Sequence, residues 1–264
     1  MIDMVLEIKD LNYDKFEDFN LVIESNKSYS IIGDINCGKD TLFKIITSYT
    51  MTNNCVFFNK LCLNENTRLD YLKKMGVIPE VDNYSFLMDD VIDELEYPLK
   101  RLGLSKEVIN KRINFYLKFF NLRVKTKKIE DLDIYEKQLL LIITAMITEP
   151  TLVVIDDIYE NLLPKDKIKF FDLLNHLVDA GKITVIKFTT SFVNVLERDR
   201  VILMDNYELL KEDTKANLMD NDKYLTDHNL KIPFMYDLSI KLGLYKIIDK
   251  KYINMDDMVN DIWN

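Results

Sequence analysis

The segment Gly33-Asp-Ile-Asn-Cys-Gly38-Lys39-Asp40-Thr41 constrains this chain more than any other. A phosphate-binding loop reads Gly, four residues, then Gly-Lys-Ser/Thr, and it lies between a strand and a helix. Tyr29–Ile32 before it is a short apolar run, and Thr41–Ser48 after it carries apolar residues at helical spacing. A strand, a tight turn and a helix are therefore expected, with backbone amides and a helix N-terminus forming an anion seat. Gly33, Gly38 and Lys39 stand. Asp40 occupies the position of the hydroxyl that would meet Mg²⁺, so a carboxylate sits where a triphosphate would come. The fold is easier to read than the activity.

With 264 residues the chain is long enough for one large domain or two small ones. A net charge of −9 disfavours broad electrostatic nucleic-acid binding. Cys37, Cys55 and Cys62 show no CxxC spacing, and two histidines are too few for a zinc site. A reduced, cytoplasmic compartment fits. The N-terminus carries acid where a signal peptide needs base, and no uncharged apolar run reaches spanning length. Any membrane role must come through a partner.

Val5–Ile8 and Leu21–Ile23 read as strands of an opening antiparallel layer. Leu152–Ile155, Ile183–Phe188 and Val201–Met204 read as buried strands, and Lys165–Val178 as a helix between two of them. Strands alternating with helices indicate an α/β chain with a parallel sheet. Residues 80–148 look mostly helical, with Val91–Leu102 and Lys106–Phe120 amphipathic and separated by Gly103. A further helical unit is expected over 217–264, after a main domain over 1–216. The basic run Arg123, Lys125, Lys127, Lys128 reads as a solvated loop, with a lipid-facing patch as its alternative.

Several segments follow the phosphate loop in a telling order. Lys73-Lys-Met-Gly-Val-Ile-Pro-Glu80-Val-Asp-Asn-Tyr-Ser-Phe86 is similar to a Q-loop run. Leu132-Asp-Ile-Tyr-Glu136-Lys-Gln138 sits where an LSGGQ signature belongs. Glu149-Pro150 with Leu152–Asp157 and Leu162-Leu163-Pro164 resemble a Walker B and D-loop segment, and Phe188-Thr-Thr190-Ser191 falls at an H-loop. Lys231-Ile-Pro-Phe-Met-Tyr-Asp-Leu and Met255-Asp-Asp-Met-Val resemble a C-terminal unit. Together these resemble ATP-binding subunits of ABC transporters, more narrowly the ATPases of energy-coupling-factor (cobalt/vitamin) importers, over nearly the whole chain. The resemblance implies a P-loop NTPase (RecA-like) α/β core with an antiparallel β layer, a helical subdomain and a C-terminal helical unit. It implies ATP and Mg²⁺ as ligands, and a homodimer or a heterodimer with a related ATPase subunit. It also implies a transmembrane coupling subunit and a peripheral position on the inner face of the cell membrane.

Carried over residue by residue, the resemblance gives Gly33, Asn36, Cys37, Gly38, Lys39, Asp40 and Thr41 to the nucleotide seat, with Tyr13 or Phe16 as a base-stacking aromatic. Asp40 and Asp156 become the Mg²⁺ positions. Asp157 stands for the catalytic Glu, Glu80 for the Q-loop Gln and Thr190 for the H-loop His. Asp93 and Glu94 fall where acids receive arginines of a membrane partner.

Each position has a plainer reading. Asp40 can pair with Lys39 and fill the anion seat itself. Asn36 tolerates left-handed backbone, so the loop shape can survive. Cys37 reads as packing rather than redox sensing. Asp157 is a methylene shorter than Glu, and a misplacement of about 1 Å costs on the order of 100-fold in rate. Thr190 cannot carry positive charge, and Leu163 removes a polar contact. Ile134 and Tyr135 block the close approach that signature glycines allow, while Asp133 and Glu136 suit a capping box. Asp93 and Glu94 can be a solvated helix face, and Tyr13 a strand-edge residue. Two functions follow: an energy-coupling subunit with weak or absent hydrolysis, or a non-enzymatic pseudo-ATPase scaffold.

Overall fold

The computed structural model describes residues 3–52, 55–158, 161–228, 230, 233–252 and 255–263; Lys231 and Ile232 of the C-terminal resemblance lie outside them. β1 (Met4–Tyr13) and β2 (Phe16–Glu24) pair antiparallel, and β2 alternates buried and exposed residues as a half-covered strand should. β3 (Ser28–Ile32) is buried at every residue and runs into the glycine loop and α1 (Lys39–Ile46). β4 (Val56–Phe58) and β5 (Leu61–Cys62) complete a four-stranded sheet of order β2-β1-β4-β5. α2 (Arg68–Leu72) leads to β6 (Met75–Ile78). The helical region contains α3 (Val91–Arg101), α4 (Lys106–Phe119) and α5 (Ile134–Met146).

β7 (Leu152–Asp156), α6 (Pro164–Asp179), β8 (Thr184–Thr189), β9 (Arg200–Asp205) and β10 (Glu208–Thr214) follow. They build a six-stranded sheet of order β10-β9-β3-β8-β7-β6, parallel except for the antiparallel pair β9 and β10. The chain ends in α7 (Lys215–Met219), α8 (Asp222–Asp227), α9 (Phe234–Leu244) and α10 (Met255–Trp263). Among the described residues no helix is long and apolar enough to cross a membrane.

One core lies between the two sheets and includes Leu6, Phe16, Leu42, Ile45, Phe58 and Phe188. A second joins the helical region and α6 to the other face of the large sheet. A third packs Leu218, Met219 and Leu225 against Ile32 and Val201. The C-terminal helices thus begin at Lys215, just short of residue 217, and their first part shares a core with β9 and β3.

The loop-bearing strand is also fixed by a buried polar knot. Asp199 accepts hydrogen bonds from Ser28 Oγ (2.7 Å), Ser30 Oγ (2.6 Å), Lys187 Nζ (2.5 Å) and the Leu196 amide (2.8 Å). Ser28 and Ser30 lie on β3 and Lys187 on β8, so one carboxylate ties neighbouring strands below the loop. Every partner is a donor, as a buried charge requires.

Candidate functional site

The loop keeps its expected shape. Asn36 and Gly38 have φ of 68° and 101°, both left-handed, and Asn is one of the few side chains that take this conformation readily. Gly38 is the N-cap of α1, and no side chain caps the helix. The first amides of a helix have no intrahelical acceptor, so those of Lys39, Asp40 and Thr41 are donors suited to an anion. Cys37 is buried, its sulfur packs against Gly33, and burial pushes its thiol up. The packing reading of this cysteine agrees with that geometry.

Lys39 is buried, and its ammonium donates to Asp40 Oδ1 at 3.1 Å. Asp40 does not cap α1. Its side chain is 65% exposed and lies in the first helical turn, favourable to the helix dipole. The lysine that should meet a phosphate is therefore engaged by the residue next to it.

Beside the loop opens a cleft of about 590 Å³ lined by Lys39, Asp40, Phe43, Lys44, Tyr49, Pro79, Glu80, Asp156 and Asp157. It lies at the carboxyl ends of β3, β6 and β7, where ligands bind in open α/β sheets. Four of the acids named above converge here against two lysines. Asp156 feels the consequence: burial first, then Asp40, Asp157 and Glu80, raise its carboxyl to about 6 against the pull of Lys39. Thr190 Oγ1 donates to Asp157 Oδ2 at 3.4 Å, and the Asp157 amide donates to the Phe188 carbonyl at 3.2 Å. Asp157 has φ of 25°, outside the regions an L-residue prefers.

Phosphates fit this loop through its uncapped amides and Lys39. A divalent cation fits the acidic side through Asp156 and Asp40, where it would offset the crowding that raises Asp156. Among the described residues no three of His, Cys, Asp or Glu are close enough together to hold a metal ion by themselves. Mg²⁺ would use one or two carboxylates, with phosphate and water oxygens completing its shell.

The signature position is closed from within. Asp133 accepts from the Glu136 amide at 2.7 Å, and Glu136 accepts from the Asp133 amide, a complete capping box at the start of α5. Lys127 donates to Glu136 at 2.7 Å. Tyr135 Oη donates to Asp166 Oδ2 at 2.8 Å, and its hydroxyl is pushed up to about 12, chiefly by desolvation and by that bond. Ile134 projects outward, 54% exposed, at the first position of the helix.

Two expected site residues need correction. Glu94 does not present its carboxylate at the surface. It is buried, and its carboxylate accepts from the amides of Leu87 (3.0 Å) and Met88 (2.9 Å) and from Tyr84 Oη (3.4 Å). It folds the segment after Glu80 onto α3, leaving Asp93 as the exposed acid of the two. Phe16 belongs to the core, its ring 4.8 Å from Phe19 and 5.0 Å from Tyr207, while Tyr13 lies exposed at the end of β1. The sequence reading missed Phe43, Lys44 and Tyr49 in the cleft and Tyr207 over the loop. Lys44 follows Asp40 by one helical turn, and Tyr49 comes just past the end of α1, a signal available from the start.

A family model described as "ABC transporter" matches residues 16–160. The energy-coupling factor transporter ATP-binding protein EcfA of Pediococcus pentosaceus is 24% identical, over 98% of this chain and 96% of its own length. EcfA1 of Mycoplasmopsis pulmonis is 22% identical, over 95% of this chain and 96% of its own. Among solved structures, cbiO1 from Clostridium perfringens, described as part of the ABC transporter complex cbiONQ, superposes with a TM-score of 0.72. The identity is 20%, and the match covers 93% of this chain and 100% of that one. The ATP-binding cassette MJ0796, in a dimeric post-hydrolysis state bound to ADP and Pi, gives 0.68 at 22% identity, covering 81% and 99%.

Proposed function

The chain belongs to the ABC transporter family, and from that premise we propose that it is the nucleotide-binding-cassette subunit of an energy-coupling-factor importer with weak or absent ATP hydrolysis. The observation that carries the second half is the capping box at α5. A signature acts through helix-start amides left open toward the phosphate of an opposing subunit. Here the Glu136 amide meets Asp133, the Asp133 amide meets Glu136, and the Ile134 side chain stands exposed at the helix start. The relatives named for energy-coupling importers support the first half, since they align over almost the full chain.

On this reading the subunit pairs with a second copy or a related ATPase and docks a transmembrane coupling subunit from the inner face of the membrane. The loop amides, Lys39 and Thr41 hold the phosphates, with Tyr13 at the base, and Asp156 and Asp40 hold Mg²⁺. Bound Mg²⁺ would supply positive charge against the phosphates and the charge that develops on them. Asp157, held by Thr190, is the group available to orient water, and Glu80 shares the cleft with Lys39. The short reach and positive φ of Asp157 set it poorly for that task.

The second reading, a pseudo-ATPase scaffold that takes no nucleotide, is favoured by one contact: Lys39 on Asp40. Phosphate release from Mg-ATP tests the first reading. Turnover at background, unchanged in Lys39→Ala, is expected; brisk release abolished by Lys39→Ala refutes it. Thermal denaturation with Mg-ATP separates the two readings. A ligand at about 100 times its dissociation constant adds about 2.7 kcal/mol, and no shift at all leaves the scaffold.

A further inference from the structure

The phosphate loop is roofed by the turn between β9 and β10. The Tyr207 amide donates to the Cys37 carbonyl at 2.8 Å. A Cβ on Gly38 would lie 2.8 Å from Tyr207 Cδ1, and one on Gly33 would lie 2.5 Å from the Met204 carbonyl oxygen. Gly38 therefore admits the turn, and Gly33 admits the end of β9 that leads into it. Asn206 and Tyr207 have φ of 47° and 66°, the left-handed pair of a tight hairpin. The Tyr207 ring is braced by Phe16 at 5.0 Å and by Lys15 Nζ at 5.4 Å from its centroid.

The residue that opens this turn reaches the C-terminal helices. Asp205 Oδ2 lies 2.9 Å from His228 Nδ1 at the end of α8, and Tyr224 stands edge-on to the imidazole at 4.7 Å. Apolar packing takes the same route. Ile32, the residue before Gly33, shares a buried cluster with Leu218, Met219, Leu225, Leu230 and Tyr236. The helices after residue 215 thus hold the loop from its strand side and from its roof.

We propose that the C-terminal helical unit sets the shape of the phosphate loop, with the Asp205–His228 pair as its latch and the Asn206–Tyr207 turn as the part that transmits it. This goes beyond the transporter reading and holds whether or not the loop takes a nucleotide. His228 is a positioning residue: it acts on the loop through Asp205 and the turn. Loss of the latch frees the turn to lift, which uncovers Cys37 before any other part of the core opens.

Cys37 is the reporter. In protein carrying Cys62→Ser, two thiols remain: Cys37 below the turn, and Cys55, buried in the core between the sheets and bonded to Thr52. Labelling with N-ethylmaleimide under native conditions, read by peptide mass spectrometry, follows each separately. His228→Ala is expected to speed labelling of Cys37 by about tenfold, the change for one charge-assisted hydrogen bond in a local opening equilibrium. Cys55 keeps its rate. His228→Asn, whose amide nitrogen stands at the place of Nδ1 and keeps a donor toward Asp205, restores slow labelling of Cys37. Equal Cys37 rates in wild type and His228→Ala overturn the proposal. Joint acceleration of both thiols, or failure of asparagine to restore protection, overturns it too, since each marks general loosening rather than a latch.

Discussion

Replacing Asp156 by asparagine is expected to stabilise this chain at neutral pH and to change nothing in strong acid. Asp156 is half-buried at the end of β7, and burial with Asp40, Asp157 and Glu80 around it raises its carboxyl from 3.8 to about 6. A carboxyl raised on folding keeps its proton longer in the folded chain than in the unfolded one. Between pH 3.8 and about 6 the folded state therefore binds more protons, and stability falls as pH rises. Below that window both states are protonated and the effect vanishes; above it the full cost is present. At about 1.4 kcal/mol per pH unit, the cost is roughly 3 kcal/mol. An amide at this position keeps the shape without the charge. Asp156→Asn should therefore gain about 2–3 kcal/mol at pH 7.5, or a melting-temperature rise of about 5–10 °C. Urea denaturation of both proteins at about pH 4 and pH 7.5, at equal ionic strength, reads the difference, which should be large at the higher pH and small at the lower. Equal stability at both pH values, or a variant weaker at pH 7.5, would refute the claim that these carboxylates crowd one another.

Two further outcomes rest on single contacts. Asp133→Ala removes the N-cap acceptor of α5 and should cost about 1 kcal/mol, seen as a shifted urea midpoint with unchanged slope. Asp199→Ala strips the buried Lys187 of its partner and leaves Ser28 and Ser30 without their acceptor, for a loss of about 3–5 kcal/mol in the same assay.

The parallel strands are legible in the sequence because they are continuous apolar runs, buried on both faces. β6 and β10 are not. Met75–Ile78 is four residues long at the edge of its sheet, directly behind two lysines, and is not among the strands expected from the sequence. Glu208–Thr214 carries Lys211, Glu212 and Asp213, the charges that protect an edge strand and hide it from a hydrophobic pattern. The capping box is legible because its partners are three residues apart. Glu94 is misread because its partners, the amides of Leu87 and Met88, come to it only when the segment folds back over α3. No local periodicity encodes that return. Tyr207 is hidden for the same reason: it meets Gly38 across about 170 residues of chain, through the pairing of β3 with β9.

The two halves of the site are altered in physically different ways. At the phosphate loop the obstacle is charge. A phosphate about 4 Å from Asp40 is opposed by roughly 4 kcal/mol at an effective dielectric of about 20, and Lys39 must change partner. A cation between the carboxylates removes most of that opposition without moving the backbone, and the amides of α1 stay uncapped. At α5 the obstacle is shape as well as charge. Capping bonds of about 1 kcal/mol could be exchanged for a phosphate, but the branched Ile134 side chain stands exposed where a glycine would leave room, and Tyr135 is tied to Asp166 on α6. No ion relieves that. On the proposed reading, a composite site made from this chain's phosphate loop and a partner's intact signature retains the means to hold a nucleotide. The reciprocal site, made from this chain's α5, does not.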